Sequence, residues 1–268
     1  EDTKTILANE KIAKNTYGDN VPFSMHGIIR SRDCCIKSTA LAIQIAKETG
    51  ARIHLMHLST YQEVAMLKDL MYGNVKTRQI SGEACIPHLY FSESFYAQKG
   101  PFLKCNPAVK TEKDRLALVQ ALESGVITTV GTDHAPHELS AKGNQYFKCA
   151  SGLPSVQFSL IALLDLWKRK EITLETIAKV TSTNVAERFR IKNRGRIEEG
   201  YAADLAIVNP TCRTLVTKDL IASSCKWSPF ENHSFSSAVV HTIVNGNLVV
   251  ENGKLVNEEK GQALEFDR

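Results

Sequence analysis

A carboxylate and two histidines follow directly after a predicted strand, in the run VGTDHAPH at residues 130–137. Residues 126–132 form a short run rich in β-branched side chains, which is typical of an interior parallel strand. The C-terminal ends of such strands carry the chemistry in (β/α)₈ barrels. There, Asp133 could hold a metal ion or act as a base, and His134 or His137 could bind a metal or an anion. The alternative is that Asp133 caps the following turn and that His137 is a surface residue.

A second pair of histidines, His54 and His57, lies in the apolar run RIHLMHL at residues 52–58. Side chains three residues apart on a strand point to opposite faces, so only one of the two can point into a barrel mouth. His57 is nearer the C-terminal end of the predicted strand and is the better candidate metal ligand. The alternative for His57 is a hydrogen-bonded core histidine, which is also our interpretation of His54.

Two loops offer groups that could bind a substrate. Asn106 precedes Pro107, which favours an extended backbone and presents the amide. An amide both donates and accepts, so it suits a ring that carries carbonyl, N–H and carboxylate groups. Gly152, which follows Ser151, allows backbone N–H groups to approach a ligand closely. Taken singly, the two loops are more simply an Asn-Pro turn and a linker, and we interpret His88 as structural.

The elements that must position these groups alternate between strands and helices over residues 1–190. Apolar side chains recur at helical spacing over residues 32–48, and Gly50 follows as a stop signal. Thr111, with acidic residues in the next turn, predicts another helix start. The alternation predicts βα units around a parallel sheet, an α/β fold. The other predicted elements are strands at 52–58, 76–85 and 126–132, and helices from Thr60 to about 71, at 155–168 and at 173–189.

After residue 190 the pattern changes to short β-like runs separated by turn signals. Residues 238–244 and 248–250 flank Asn245-Gly246, and this dipeptide between two apolar runs predicts a hairpin. We therefore divide the chain into residues 1–190 and residues 191–268. The second part is predicted to hold the strands of a small β-domain and a C-terminal tail.

The composition is that of an ordinary folded protein and excludes several functions. Of the 268 residues, 43% are hydrophobic and 23% are charged, and the formal charge of +4 is not gathered into a basic run, so no nucleic-acid partner is expected. The longest apolar stretch, residues 159–167, is too short to span a membrane. The seven cysteines include no CxxC pair, which predicts unpaired thiols in a reducing cytoplasm.

Taken together, these motifs resemble those of dihydroorotases, the cyclic-amide hydrolases of the amidohydrolase superfamily. The Asp-His-Ala-Pro-His run is the most specific match, and His-Leu-Ser-Thr at residues 57–60 and Asn106-Pro107 match two further motifs. The resemblance implies the C-terminal part of a (β/α)₈ TIM-like barrel, followed by strands of a small β-sandwich domain. It also implies a small-molecule substrate and the reversible hydrolysis of dihydroorotate to N-carbamoyl-aspartate.

The resemblance further implies a role for each candidate residue and a zinc cofactor, with two ions in each site. The implied roles are metal ligation by His57 and Asp133, general-base catalysis by Asp133, and substrate binding by Asn106, His137, Ser151 and Gly152. Residues 108–110 read Ala-Val-Lys where the family often has Pro-Leu-Arg, a departure that bears on the subfamily more than on the reaction.

The family's His-x-His pair and its bridging Lys or Asp have no match in the chain, whereas Glu1-Asp2 match the end of its His-Cys-Glu-Asp run. We therefore expect these ligands on an upstream segment of the same gene product, and we expect residues 1–268 alone to be inactive. A homo-oligomer is compatible with this interpretation. Two alternatives are a hydrolase of the hydantoinase or allantoinase type, and a non-catalytic dihydroorotase-like scaffold for a partner enzyme such as a transcarbamoylase.

Overall fold

The structure, a computed structural model, describes residues 1–72, 79–143, 145–257 and 261–267. The chain divides into two compact units, one comprising Glu1–Ser159 with Thr217–Glu231 and the other Leu160–Val216 with Asn232–Arg268. The domain division predicted at residue 190 stays a prediction. Within the described ranges, no helix is both long enough and apolar enough to cross a membrane.

A parallel three-stranded sheet lies at the centre of the first unit. Its order is β1 (Ile53–Leu55), β2 (Ile80–Cys85) and β3 (Thr129–Gly131). Every residue of β2 is buried, as expected for an interior parallel strand with both faces covered. The predicted parallel sheet is confirmed. The strand predicted at 52–58 is shorter than expected, because the backbone leaves the extended region at His57, whose φ is 81°.

Seven helices of the described residues belong to the first unit, and two of them, α4 (Tyr61–Tyr72) and α5 (Ile86–Tyr90), contact β2. The helices predicted from residue 32, after Thr60 and after Thr111 are confirmed, whereas residues 76–78 of the predicted second strand lie outside the described ranges. The apolar pattern did not predict the first helix, α1 (Thr3–Tyr17), because only Ile6 and Ala13 of this helix are buried. The helices are α1 (Thr3–Tyr17), α2 (His26–Ile29), α3 (Arg32–Thr49), α4 (Tyr61–Tyr72), α5 (Ile86–Tyr90), α6 (Tyr96–Lys99) and α7 (Glu112–Glu123).

One buried carboxylate joins the starts of three of these helices. Asp114 and Thr111 form the capping box of α7. Asp114 also accepts hydrogen bonds from the guanidinium of Arg32, the first residue of α3, at 2.6 Å, and from the backbone N–H of Tyr61, the first residue of α4, at 3.1 Å. Burial opposes the charge, but the hydrogen bonds from Arg32 and Thr111 hold the pKa of Asp114 below its usual range.

The second unit combines short helices with antiparallel strands. Its main sheet has four strands in the order β4 (Leu205–Asn209), β7 (Ala238–Val244), β8 (Asn247–Glu251) and β9 (Lys254–Leu255), and β5 (Thr214–Leu215) pairs with β6 (Ser234–Phe235). The predicted hairpin is confirmed, with Asn245 and Gly246 both at positive φ, as a two-residue turn of this kind requires. The helical run predicted at 173–189 is present but is interrupted by a π turn at Lys179–Thr183.

The elements of the second unit are α8 (Ser159–Lys168), α9 (Leu174–Ala178), α10 (Asn184–Phe189), β4 (Leu205–Asn209), β5 (Thr214–Leu215), β6 (Ser234–Phe235), β7 (Ala238–Val244), β8 (Asn247–Glu251) and β9 (Lys254–Leu255). The helix predicted at 155–168 begins instead with a 3₁₀ turn at Val156–Phe158, which precedes α8.

Candidate active site

His57 and Asp133 lie at the C-terminal ends of two parallel strands. Each stands two residues beyond its strand, since β1 ends at Leu55 and β3 ends at Gly131. Each also has a left-handed backbone, with φ of 81° for His57 and 48° for Asp133. Such a conformation costs a residue with a Cβ about 1–3 kcal/mol and concentrates at functional sites. The shared conformation therefore marks both residues as candidates.

The electrostatics place Asp133 within range of three other groups. Burial raises the pKa of Asp133 above its usual range, the charge of His57 lowers it, and the carboxylate of Glu83 raises it again. Burial, followed by the charge of Asp133, raises the pKa of the Cys105 thiol to about 12. Cys105 precedes Asn106, so Asp133 lies within electrostatic range of both His57 and the Asn106 loop. A half-buried carboxylate with a raised pKa is a stronger base than an ordinary aspartate, which suits a group that must accept a proton.

Glu83 is a buried carboxylate that the sequence analysis missed. Its Oε2 lies 3.4 Å from Nε2 of His54, whose Nδ1 lies 2.7 Å from the Ser81 hydroxyl. Glu83 also packs against Gly131, where a Cβ would lie 2.6 Å from Oε1. The hydrogen bonds agree with the structural role predicted for His54. A signal for Glu83 was present, because a single carboxylate in a buried strand requires a partner.

Asn106 presents a buried amide oxygen. Its Oδ1 has no hydrogen-bond partner among the described residues, and the peptide bond to Pro107 is cis. A buried oxygen left unpaired costs about 1–3 kcal/mol. A ligand N–H would remove this cost, so the observation supports the predicted substrate-binding role of Asn106.

His137, Ser151 and Gly152 form a second group of neighbouring residues. The imidazole Nε2 of His137 lies 3.0 Å from the Ser151 carbonyl oxygen. A Cβ on Gly152 would lie 2.9 Å from Cδ2 of His137, so the ring requires glycine at this position. The backbone N–H of Gly152 donates to the Lys104 carbonyl at 2.9 Å, which connects this group to the Asn106 loop.

Two buried lysines hold the same loops together, and the sequence analysis missed both. Lys142 donates to the carbonyl oxygens of Lys104, Ala150 and Gly152 at 2.8–3.2 Å. Lys104 donates to the carbonyls of Tyr146 and Cys149 at 2.7 and 2.6 Å. Burial lowers the pKa of Lys142 to about 8. No pattern of residue types predicts these contacts, because the acceptors are backbone atoms.

The chemistry of the donors fits zinc in part. An imidazole and a carboxylate are zinc ligands, and His57 and Asp133 supply one of each after the ends of the two strands that flank β2. Within the described part of the chain, however, no three His, Cys, Asp or Glu side chains are grouped so that they could hold a metal ion. His57 and Asp133 could therefore supply only part of a binuclear site.

Comparison with known proteins gives a family and a set of relatives. The model of the amidohydrolase family matches residues 23–249. A dihydroorotase of Methanosphaera stadtmanae is 32% identical over 208 residues, which are 78% of this chain and 47% of the relative. An allantoinase of Bacillus velezensis is 33% identical over 213 residues, 79% of this chain and 46% of the relative. The chain thus spans about half the length of the curated relatives that it matches.

Solved structures show the same fold. The L-hydantoinase of Arthrobacter aurescens matches 95% of this chain and 56% of its own, with a TM-score of 0.86 and 23% identity. A dihydroorotase of Saccharomyces cerevisiae in complex with 5-fluoroorotic acid matches 75% of this chain and 54% of its own, with a TM-score of 0.62 and 19% identity. The expected α/β architecture, the C-terminal part of a TIM-type barrel followed by β-strands, is confirmed.

Proposed function

The chain belongs to the amidohydrolase family, and on that premise we propose that it carries part of the active site of a cyclic-amide hydrolase. The substrate we propose is dihydroorotate, which is hydrolysed reversibly at its ring amide to N-carbamoyl-aspartate. The Asp-His-Ala-Pro-His run at residues 133–137 and the dihydroorotases among the relatives support this substrate.

The coupling between His57 and Asp133 carries the proposal. Two residues that follow different strands share an unusual backbone conformation at the same edge of the sheet, and the charge of His57 acts on the pKa of Asp133. This arrangement suits two ligands of one metal centre. When bound, zinc would polarise the ring carbonyl and lower the pKa of a water molecule. The other ligands of a binuclear site are not grouped with His57 and Asp133 in the described residues.

The chain's own residues would then bind the ring and move a proton. Asp133 accepts the proton of the attacking water and delivers it to the ring nitrogen as that nitrogen leaves. Asn106 offers its unpaired Oδ1 to a ring N–H. His137 lies beside Ser151 and Gly152 and would bind the substrate carboxylate together with the backbone of these two residues.

A direct test compares substrates in the protein expressed from its complete gene. Dihydroorotate, hydantoin and allantoin are each supplied to the purified protein with zinc, and ring opening is measured for each. We expect the highest kcat/KM for dihydroorotate. A clear preference for another ring would contradict the proposed substrate but not the reaction class, and no turnover of any ring would favour a non-catalytic scaffold.

The main alternative is an allantoinase or hydantoinase, and it rests on two observations. One allantoinase matches this chain as well as the dihydroorotases do, and Ala108, Val109 and Lys110 depart from the dihydroorotase pattern. His137 argues for dihydroorotate, because an imidazole suits a substrate carboxylate, which hydantoin lacks.

A further inference from the structure

Two buried histidines contact the backbone on either side of Asn106. Nε2 of His26 lies 2.8 Å from the carbonyl oxygen of Cys105, and Nε2 of His88 lies 2.8 Å from the carbonyl oxygen of Pro107. The two histidines are 0% and 2% exposed. They come from different parts of the first unit, at the start of α2 and within α5, and they contact the two residues that flank Asn106.

The partners determine which nitrogen of each ring carries the proton. A carbonyl oxygen can only accept, so Nε2 must donate in both histidines. Burial lowers the pKa of each imidazole to about 3, which keeps both rings neutral with a lone pair on Nδ1. In His26 this lone pair accepts from the Tyr146 hydroxyl at 2.8 Å. In His88, Nδ1 is buried without a hydrogen-bond partner among the described residues.

The backbone before Asn106 has further partners. The carbonyl of Lys104 accepts from the N–H of Gly152 at 2.9 Å and from Lys142 at 3.2 Å. The three carbonyls of residues 104, 105 and 107 therefore all have donors from elsewhere in the chain. Between them stands Asn106, whose own Oδ1 has none among the described residues. A fixed backbone around an unpaired side chain is what a preorganised binding group requires.

We propose that His26 and His88 are positioning residues that orient the side-chain amide of Asn106 toward the substrate ring. The inference rests on the proposed binding role of Asn106. Each histidine acts through the backbone carbonyl next to Asn106, and neither touches the substrate. Loss of either donor frees one side of the loop, and the amide then samples orientations that do not bind.

A double-mutant cycle separates this role from a purely structural one, because residues that act through one another are not additive. The variants are His26→Leu, His88→Leu and Asn106→Ala, singly and in pairs, in the protein expressed from its complete gene. We expect each Leu variant to raise KM for dihydroorotate about tenfold, the value of one hydrogen bond, with a smaller change in kcat. In the Asn106→Ala background, the same Leu substitutions should leave KM unchanged.

Conservative variants supply the control. Glutamine can place an N–H near the position of Nε2, so His26→Gln and His88→Gln should keep KM within about threefold of the parent. If a Leu variant does not fold, the Gln variants replace it in the test. A folded Gln variant with a KM about tenfold higher than that of the parent would overturn the inference. His233→Leu removes a histidine of the second unit that contacts Asp165, and it should leave KM unchanged.

The outcomes distinguish the binding role of Asn106 from the positioning role of His26 and His88. If Asn106→Ala leaves KM unchanged, the binding role of Asn106 fails, and the role of the histidines fails with it. If Asn106→Ala raises KM but the Leu variants do not, only the positioning role is wrong. Equal effects of a Leu substitution in the parent and in the Asn106→Ala background would also contradict it, because a general loss of structure is additive.

Discussion

The imidazole of His137 packs directly over the α-carbon of Gly152. A Cβ on Gly152 would lie 2.9 Å from Cδ2 of His137 and 2.5 Å from the Cβ of Ala135. The φ of Gly152 is 147°, a conformation that residues with a side chain rarely adopt. The position of the His137 ring therefore depends on the absence of a side chain fifteen residues later in the chain.

Gly152→Ala should weaken substrate binding, because the new methyl group displaces His137 or shifts the backbone that contacts it. The strained φ adds a loss of stability of about 1–3 kcal/mol. KM for dihydroorotate and the midpoint of urea unfolding measure the two effects. Gly143→Ala is the matched control, since its Cβ would meet only the Ser140 carbonyl oxygen, at 4.0 Å. A KM that is the same for both variants would count against a binding role for His137.

Asp133→Asn should reduce kcat by about 10²–10⁴-fold without unfolding the protein, because an amide cannot accept the proton and is a poorer zinc ligand. Ring opening of dihydroorotate and the thermal unfolding midpoint are the measurements. Glu83→Gln tests whether removing the charge of another buried carboxylate near this site lowers kcat as much as Asp133→Asn does. Turnover by Asp133→Asn close to that of the parent would remove Asp133 from the mechanism.

His137→Ala and Asn106→Ala should raise KM and leave the zinc content unchanged, because both side chains are proposed to touch substrate rather than metal. Zinc is measured by elemental analysis of the purified complete gene product, alongside steady-state kinetics. His57→Ala is the comparison that should lower the zinc content. Loss of zinc from His137→Ala would show that His137 is a ligand.

His26 and His88 should make the protein less stable in mild acid. Each folded imidazole has a pKa lowered to about 3, whereas an unfolded histidine titrates near 6.5. Between these pH values the unfolded chain binds more protons, so stability falls as the pH falls, by about 2 kcal/mol per histidine at pH 5. Urea unfolding at pH 5 and pH 7 measures the loss. The variant carrying both His→Gln substitutions should show a smaller loss, and an equal loss would refute this origin.

Lys142 should give the same trend with pH, but in the alkaline range. Its folded pKa is lowered to about 8 by burial, and that of an unfolded lysine is near 10.4. Between these values the unfolded chain again binds more protons, so the group's contribution to stability rises with pH. The stability of the parent relative to Lys142→Met should therefore increase by about 2 kcal/mol from pH 8 to pH 10. A difference that stays constant over this range would show that Lys142 titrates normally.

The sequence was informative where a function requires a particular residue type. The motifs around His57, Asn106 and Asp133 led to the family, and alternating patterns predicted the parallel sheet and most helices. Residues such as Lys142, His26 and His88 were not recognised as partners of these loops. They bind backbone carbonyls, which every residue carries, so neither spacing nor composition could indicate which loop each contacts.

Local conformation was also beyond the sequence patterns. The apolar run at 52–58 predicted a strand as far as residue 58, but the left-handed backbone of His57 ends it earlier. The π turn inside the predicted helix at 173–189 adds a residue that a period of 3.6 does not reveal. In both places the overall type of element was predicted, and the departure follows from tertiary structure.

The carboxylate of Asp114 has a consequence for how the first unit unfolds. Because it binds the starts of α3, α4 and α7 at once, none of these three helix N-termini can fray without breaking a hydrogen bond to the carboxylate that the other two also bind. The three helices are thereby tied into one cooperative unit, although long stretches of chain separate them. Amide hydrogens in their first turns should exchange with solvent at rates set by a single opening event rather than by three independent ones.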